Sequence, residues 1–361
     1  MKSKLFLFGC YVLALSTSNK SDAQVCIPGT RQAVVASGVN GHRYRLDILL
    51  PEHYQGDSNK TYPVVYLLDS QWDFPLFDGI YGSQHYDGFL PDLVVVGITW
   101  EGAITDYSGL RVRDFTPTAV AGQDSSGGAG AFLEVIKNDI FPYVDAHYRV
   151  NSHRTLVGTS LGGLFGLYAL FQAPALFQNY VIASPSLWWD HGVIKQYERQ
   201  YEKKKGSSKA KVFLAIGSLE TDVPDFTKFA DHLKSGNPSR LETESLVIGN
   251  TGHSGVAAEG FARGMQAVFR KPDLLLSPAV LRPLTGTYRL GDIKIDLSIK
   301  QGMLFAVTPE AKYPLYAAGP QDFYVKGANI SLHFKTGTAG KVSGFDLTQY
   351  QGVVFVKKVN E

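Results

Sequence analysis

Arg154-Thr-Leu-Val-Gly-Thr-Ser-Leu-Gly-Gly-Leu-Phe-Gly-Leu-Tyr-Ala-Leu170 reads as a short apolar strand (Thr155 to Val157), a tight turn over Gly158 to Gly162, and a small-residue helix running toward Phe171. Gly158-x-Ser160-x-Gly162 is the pattern of a nucleophile elbow. There a sharp strand-to-helix turn strains the central residue and pushes its side chain out over the end of a sheet. Flanking glycines let strand and helix approach without Cβ clashes. Ser160 then stands at a helix N-terminus, where free amides favour developing negative charge. With 37 glycines in the chain the bare pattern carries little weight; the strand before it and the helix after it carry more.

A serine hydroxyl needs a base to take its proton, and the base needs a group to hold its tautomer. In this fold class the chain order is Ser, acid, His, with acid and base on loops after strands. Gly252-His253-Ser254 follows the strand ending at Ile248 and precedes a helix from Ala257, which makes His253 the expected general base. Five histidines precede Ser160, two lie between it and the final strand, and His333 belongs to a different region. For the acid, Glu220, Asp222 and Asp225 all follow the strand Lys211 to Gly217. Glu220 is closest to the strand end and is the first choice; Asp225 equally suits a helix cap.

An oxyanion hole needs two backbone amides. One is expected from Leu161, just after the nucleophile, and the other from Asp69-Ser-Gln-Trp72, with Gln71 favoured. Arg111-Val-Arg113-Asp114-Phe-Thr-Pro117 is read as part of a long polar loop, and Trp188-Trp189 as either an aromatic wall or packing over the core. No H-x-x-x-H or C-x-x-C cluster, phosphate-cradling loop or dinucleotide fingerprint occurs, so neither a metal nor a cofactor is expected.

The remaining chain sets the frame. Its 361 residues exceed one small domain, and 44% hydrophobic against 19% charged residues describe a folded globular protein. Lys2 and Lys4, the apolar run Leu5 to Leu15, and Ser21-Asp-Ala23 have the layout of a secretory signal peptide over 1–23. The run is too short for a permanent membrane span. Its removal takes away Lys2, Lys4, Lys20 and Asp22, lowering the formal charge from +2 to zero. A neutral mature chain gives no reason to expect nucleic acid as a partner. Cys10 goes too, leaving Cys26 as a single free thiol.

Apolar runs at Tyr62 to Leu68, Leu93 to Thr99, Asn179 to Ala183, Lys211 to Gly217 and Glu242 to Ile248 alternate with helical patterns, including Ala131 to Phe141 ahead of Pro142. That alternation implies a mostly parallel, helix-covered sheet over residues 24–275. Beyond a proline-bearing connector, Ile293, Ile295, Leu297 and Ile299 alternate with polar residues, as do Ile330, Leu332 and Phe334. Residues 281–361 are therefore expected to form a small antiparallel sandwich or barrel.

With these residues placed, the chain over 31–270 resembles the putative-esterase family of α/β-hydrolases, and within it the siderophore-esterase branch. The resemblance rests on Tyr62-Pro-Val-Val-Tyr-Leu-Leu-Asp69, Val96-Gly-Ile98, Arg113-Asp-Phe-Thr-Pro117, Phe141-Pro-Tyr-Val-Asp145, Gly158-Thr-Ser-Leu-Gly-Gly-Leu164, Ser184-Pro-Ser-Leu-Trp-Trp-Asp190 and Gly252-His253. It implies Ser160 as nucleophile, His253 as base, Arg113 as a substrate contact, and the turn after Leu68 as an oxyanion donor. Residues 281–361 are similar to lipocalin-like domains appended to some exported serine hydrolases.

The expectation is thus an exported serine hydrolase cleaving a small-molecule carboxylic ester through an acyl-enzyme, of siderophore type or an acetyl- or feruloyl-sugar type. Acyl transfer to an alcohol is one rival. A ligand-binding protein working through the barrel is another.

Overall fold

The computed structural model describes residues 27–359 apart from 57, 105, 205, 207, 237, 238, 338 and 339. The expected signal peptide over 1–23 and Cys26 lie outside the described residues.

Eight strands form one mixed sheet: β1 (Thr30–Ala36), β2 (Arg43–Leu49), β3 (Tyr62–Leu67), β4 (Val94–Trp100), β5 (Val150–Thr159), β6 (Asn179–Ala183), β7 (Ala210–Gly217) and β8 (Leu241–Ile248). Their spatial order is β1-β2-β4-β3-β5-β6-β7-β8. The β1–β2 and β2–β4 pairs are antiparallel, and every pair from β4 onward is parallel. All seven residues of β4 and all five of β6 are buried, as strands covered on both faces require.

The covering helices are α1 (Ser70–Tyr86), α2 (Tyr107–Phe115), α3 (Ala129–Val135), α4 (Phe141–His147), α5 (Leu161–Gln172), the short α6 (Trp189–Gly192), α7 (Ile194–Lys203), α8 (Val223–Gly236) and α9 (Val256–Val268). On one face α1 and α9 pack Phe74, Phe77, Phe261 and Met265 against Val65, Val95 and Val181. On the other, Phe115, Phe132 and Phe165 form an aromatic cluster with ring centroids 5.0–5.9 Å apart, from α2, α3 and α5.

One expectation is corrected. Arg111 to Phe115 is helix α2, not loop: the Asp106 side chain accepts from the Gly109 amide and caps it. Ahead of Pro142 the helical segment is irregular rather than stopped. A π-turn over Ile136–Ile140, in which the Phe141 amide donates to Ile136 O, carries the chain into α4 with Pro142 at its start.

The eight C-terminal strands, β9 (Gly286–Leu290), β10 (Ile293–Lys300), β11 (Met303–Val307), β12 (Lys312–Ala317), β13 (Asp322–Tyr324), β14 (Ser331–Thr336), β15 (Val342–Gln349) and β16 (Gly352–Val359), close into an antiparallel barrel. Neighbours in sequence are neighbours in space, and β16 returns to β9. Tyr288, Leu304, Phe334, Phe345 and Val356 fill the interior.

The barrel seats on the edge of the sheet opposite Ser160. Asn329 Nδ2 donates to His85 O at 3.1 Å near the C-terminal end of α1, and His53 Nε2 meets Tyr350 O at 3.0 Å. Leu274, just past α9, donates its amide to Ala317 O at 2.8 Å. Gly88 packs so close to the Ala328 carbonyl that any Cβ there would overlap it. Helix α1 runs from the Ser160 edge of the sheet to these contacts, and its 17 residues set the two ends about 25 Å apart.

Phe165, fully buried between Phe115 and Phe132, has no polar role. Its truncation to Ala leaves an aromatic-sized hole, and we expect a loss of about 3–5 kcal/mol of unfolding free energy in a urea titration.

Candidate active site

Ser160 follows β5, Glu220 follows β7 and His253 follows β8, so one edge of the parallel run carries all three. Ser160 has φ 60° and ψ −117°, a conformation that side-chain-bearing residues seldom take. Its neighbours enforce it. The Ser160 amide donates to Ala183 O on β6 at 2.9 Å, and Ser160 O accepts from the Ser186 amide at 3.1 Å and the Leu164 amide at 2.9 Å. A Cβ on Gly158 would lie 2.6 Å from Gly162 O, which is why the elbow needs glycine there.

His253 Nδ1 lies 2.6 Å from Glu220 Oε2. An ionised carboxylate only accepts, so the proton sits on Nδ1 and Nε2 is left with its lone pair. The other carboxylate oxygen, Glu220 Oε1, accepts from Ser184 Oγ at 2.6 Å and from the Gly217 amide at 2.8 Å. Partial burial pushes the Glu220 carboxyl up, but the bonds from Ser184, His253 and Gly217 outweigh it and leave the carboxyl below its ordinary value. The loops that carry Glu220 and His253 are laced together: Ser218 and Leu219 amides donate to Ile248 O and Thr251 O, and the Asn250 amide to Ser218 Oγ. Asp222 and Asp225 are exposed, so among the three acidic residues considered Glu220 is the one on His253.

Ser160 Oγ has Ser186 Oγ as its hydrogen-bond partner, at 3.4 Å, and the bond from Oγ to His253 Nε2 is not formed in this structure. His253 is half-exposed.

The first turns of two helices face this edge. At α1 the Trp72 and Asp73 amides donate to Asp69 O, leaving the Ser70 and Gln71 amides as the turn's free donors. At α5 the Leu161 amide likewise has no intrahelical acceptor. The α1 turn is fixed by Asp69, itself in the left-handed region at φ 56° and 2% exposed. Arg111 grips its carboxylate with Nε and Nη2 at 2.9 and 3.0 Å and also donates to Thr159 O, next to Ser160, at 3.2 Å. One guanidinium thus ties the α1 turn to the elbow.

Arg113, expected to face substrate, puts Nε and Nη2 on Asp114 at 2.7 and 2.8 Å. Asp114 is buried and also accepts from Trp100 Nε1 and Tyr44 Oη. The two tryptophans divide. Trp189 is 4% exposed and donates to Thr118 O, whereas Trp188 is 61% exposed. Trp72, 52% exposed beside Tyr107 and Arg111, is a second open aromatic at this edge. Arg111, Ser184 and Ser186 stand in stretches quoted from the sequence, without a role for any of the three. Only their places after strand ends or on a helix beside the elbow reveal them, and those needed the fold.

The sheet order, the strained serine and the edge that carries the histidine and glutamate define an α/β-hydrolase fold. The family model described as "Putative esterase" matches residues 37–262, and the chain belongs to that family. It is 33% identical over 211 residues to the ferri-bacillibactin esterase BesA of Bacillus subtilis, covering 54% of this chain and 72% of that one. It is 28% identical over 230 residues to the siderophore triacetylfusarinine C esterase of Aspergillus fumigatus, covering 61% and 77%. Among solved structures, the BES protein from Bacillus cereus superposes with a TM-score of 0.63 at 26% identity, over 68% of this chain and 97% of that one. An IroE-like serine hydrolase from Shewanella oneidensis superposes with a TM-score of 0.60 at 27% identity, over 67% and 80%. These relationships make the protein an ester hydrolase. No helix among the described residues is long and apolar enough to cross a membrane.

Asp73, one turn along α1, is partly buried near Asp69, and desolvation followed by that neighbouring charge pushes its carboxyl up to about 7 against the pull of Arg111. A raised carboxyl pKa means that the folded state resists ionisation, so stability falls as pH rises from the unfolded value near 4 toward 7. Asp73→Asn removes that penalty. In urea titrations the variant should match the wild type near pH 4 and exceed it above pH 7.

Proposed function

We propose that the protein is an exported serine esterase that opens a siderophore-type ester through an acyl-enzyme, with Ser160, His253 and Glu220 as its triad. The observation that carries this reading is the 2.6 Å bond from His253 Nδ1 to Glu220 Oε2 on the same edge as the elbow serine. With Nδ1–H committed to Glu220, His253 Nε2 takes the Ser160 proton as Oγ attacks the ester carbonyl. The amides of Leu161 and Gln71 hold the oxyanion, and Glu220 offsets the charge on the imidazolium. His253 then gives its proton to the leaving alcohol. Water, deprotonated by the same nitrogen, attacks the acyl carbonyl, and Ser160 departs with the proton.

The siderophore assignment is supported by the names of the two curated relatives and by the open faces of Trp188 and Trp72, which suit flat aromatic acyl groups. Arg113, with about a fifth of its side chain exposed, serves as the cationic contact for substrate on the family resemblance. Export rests on the composition of residues 1–23. The barrel, seated on the opposite edge, takes no part in this scheme; a ligand-binding role of the barrel itself is the rival reading, and Ser160, Glu220 and His253 standing together on one edge favour the esterase.

Ser160→Ala should lower kcat on an activated ester by about 10⁶, and Glu220→Gln, which favours the wrong imidazole tautomer, by about 10⁴. Product analysis with iron-loaded bacillibactin should show free acid rather than a transferred acyl group. Near-normal turnover by Ser160→Ala would end the triad assignment. Turnover of simple esters with none of the siderophore would end only the substrate assignment.

A further inference from the structure

A second group of chemistry-bearing side chains lies outside this edge, between α7 and α8. Glu198 and Glu202 stand four residues apart on one face of α7, and His232 reaches them from α8. One ligand atom from each lies within 4.8 Å of the others. His232 Nε2 is 3.6 Å from Glu198 Oε1 and 3.4 Å from Glu202 Oε1.

Those separations are too long for good hydrogen bonds but close to the edge of a coordination tetrahedron. Metal–ligand distances of about 2.0–2.1 Å place neighbouring ligands roughly 3.3–3.5 Å apart. Glu198 is the telling member. Its residue is 3% exposed, and Oε1, the atom turned toward His232, is buried without any hydrogen-bond partner. A buried carboxylate oxygen left unsatisfied costs free energy that a cation would recover. Glu202 is admitted by Gly236, the last residue of α8, where any Cβ would overlap its Oε1. His232 is half-exposed, so the group opens to solvent on one side, giving a path for entry and a fourth position for water.

We propose that Glu198, Glu202 and His232 form a site for one divalent transition metal that clips α7 to α8. Two carboxylates and an imidazole favour Zn²⁺ over Mg²⁺ or Ca²⁺, which prefer all-oxygen shells with more ligands. The pattern escapes sequence reading because the E-x-x-x-E pair is an ordinary helix repeat and its histidine lies 30 residues further on, on another helix. Neither helix supplies Ser160, Glu220 or His253, so the site would brace the fold beside α5 and take no part in ester cleavage.

The test is Zn²⁺ titration of the chelator-stripped full chain, read by competition with a chromogenic chelator and by thermal unfolding. We expect one Zn²⁺ per chain, a melting temperature raised by several degrees, and no comparable response to Mg²⁺. His232→Ala, at a half-exposed position, should keep the fold and weaken binding by more than the roughly 100-fold that loss of an outer-shell partner costs. Glu198→Gln, which preserves shape, should do the same. His333→Ala, removing the histidine beside Asp322 on the barrel, should change nothing. Absence of stoichiometric binding, or binding equally strong in His232→Ala and Glu198→Gln, would overturn the proposal.

Discussion

The structure depends on the strained turn at Ser160. A residue with φ 60° and ψ −117° between a buried strand and a buried helix is stable only if its surroundings leave no alternative. Here they do not. Its amide and carbonyl are bonded to the end of β6, Gly158 and Gly162 let β5 and α5 cross with backbones in contact, and Arg111 ties Thr159 to the neighbouring α1 turn. The same constraint that strains the backbone orders the chemistry. It turns the α5 amides toward the sheet edge and holds Oγ beside Ser186 rather than in the core.

The adjoining loops repeat the device. Ser184, at φ 41°, leaves β6 in a left-handed conformation, bonds its amide to Ala215 O and puts its hydroxyl on Glu220. Asp69 leaves β3 at φ 56° and is gripped by Arg111. Three parallel strands therefore end in strained residues fixed by polar bonds, and the edge that carries Ser160 is rigid where the amides lie and open where His253 and Trp188 lie. At the other edge the barrel closes over the end of α1 and the segment after α9.

Much of this was legible in the sequence for physical reasons. Buried parallel strands must be continuously apolar, so β3, β4, β6 and β7 stood out, and the barrel's period-two alternation did the same beyond Gly286. Ser160 and His253 could be named because chain order and strand ends constrain where they fall. The failures share a cause. α2 is polar on much of its surface, and its arginines read as loop until their buried partners Asp69 and Asp114 are seen. Trp188 and Trp189 are indistinguishable by type, and only a fold can expose one and bury the other. Glu198 and His232 meet across two helices, a pairing with no local signature.

The central claim is that His253, oriented by Glu220, activates Ser160. It is tested most directly by treating the mature protein with a fluorophosphonate probe and mapping the modified peptide by mass. The account predicts one adduct, on Ser160, that disappears in His253→Ala while the folded structure remains. An unmodified Ser160 in folded wild-type protein, or equal labelling without His253, would contradict it.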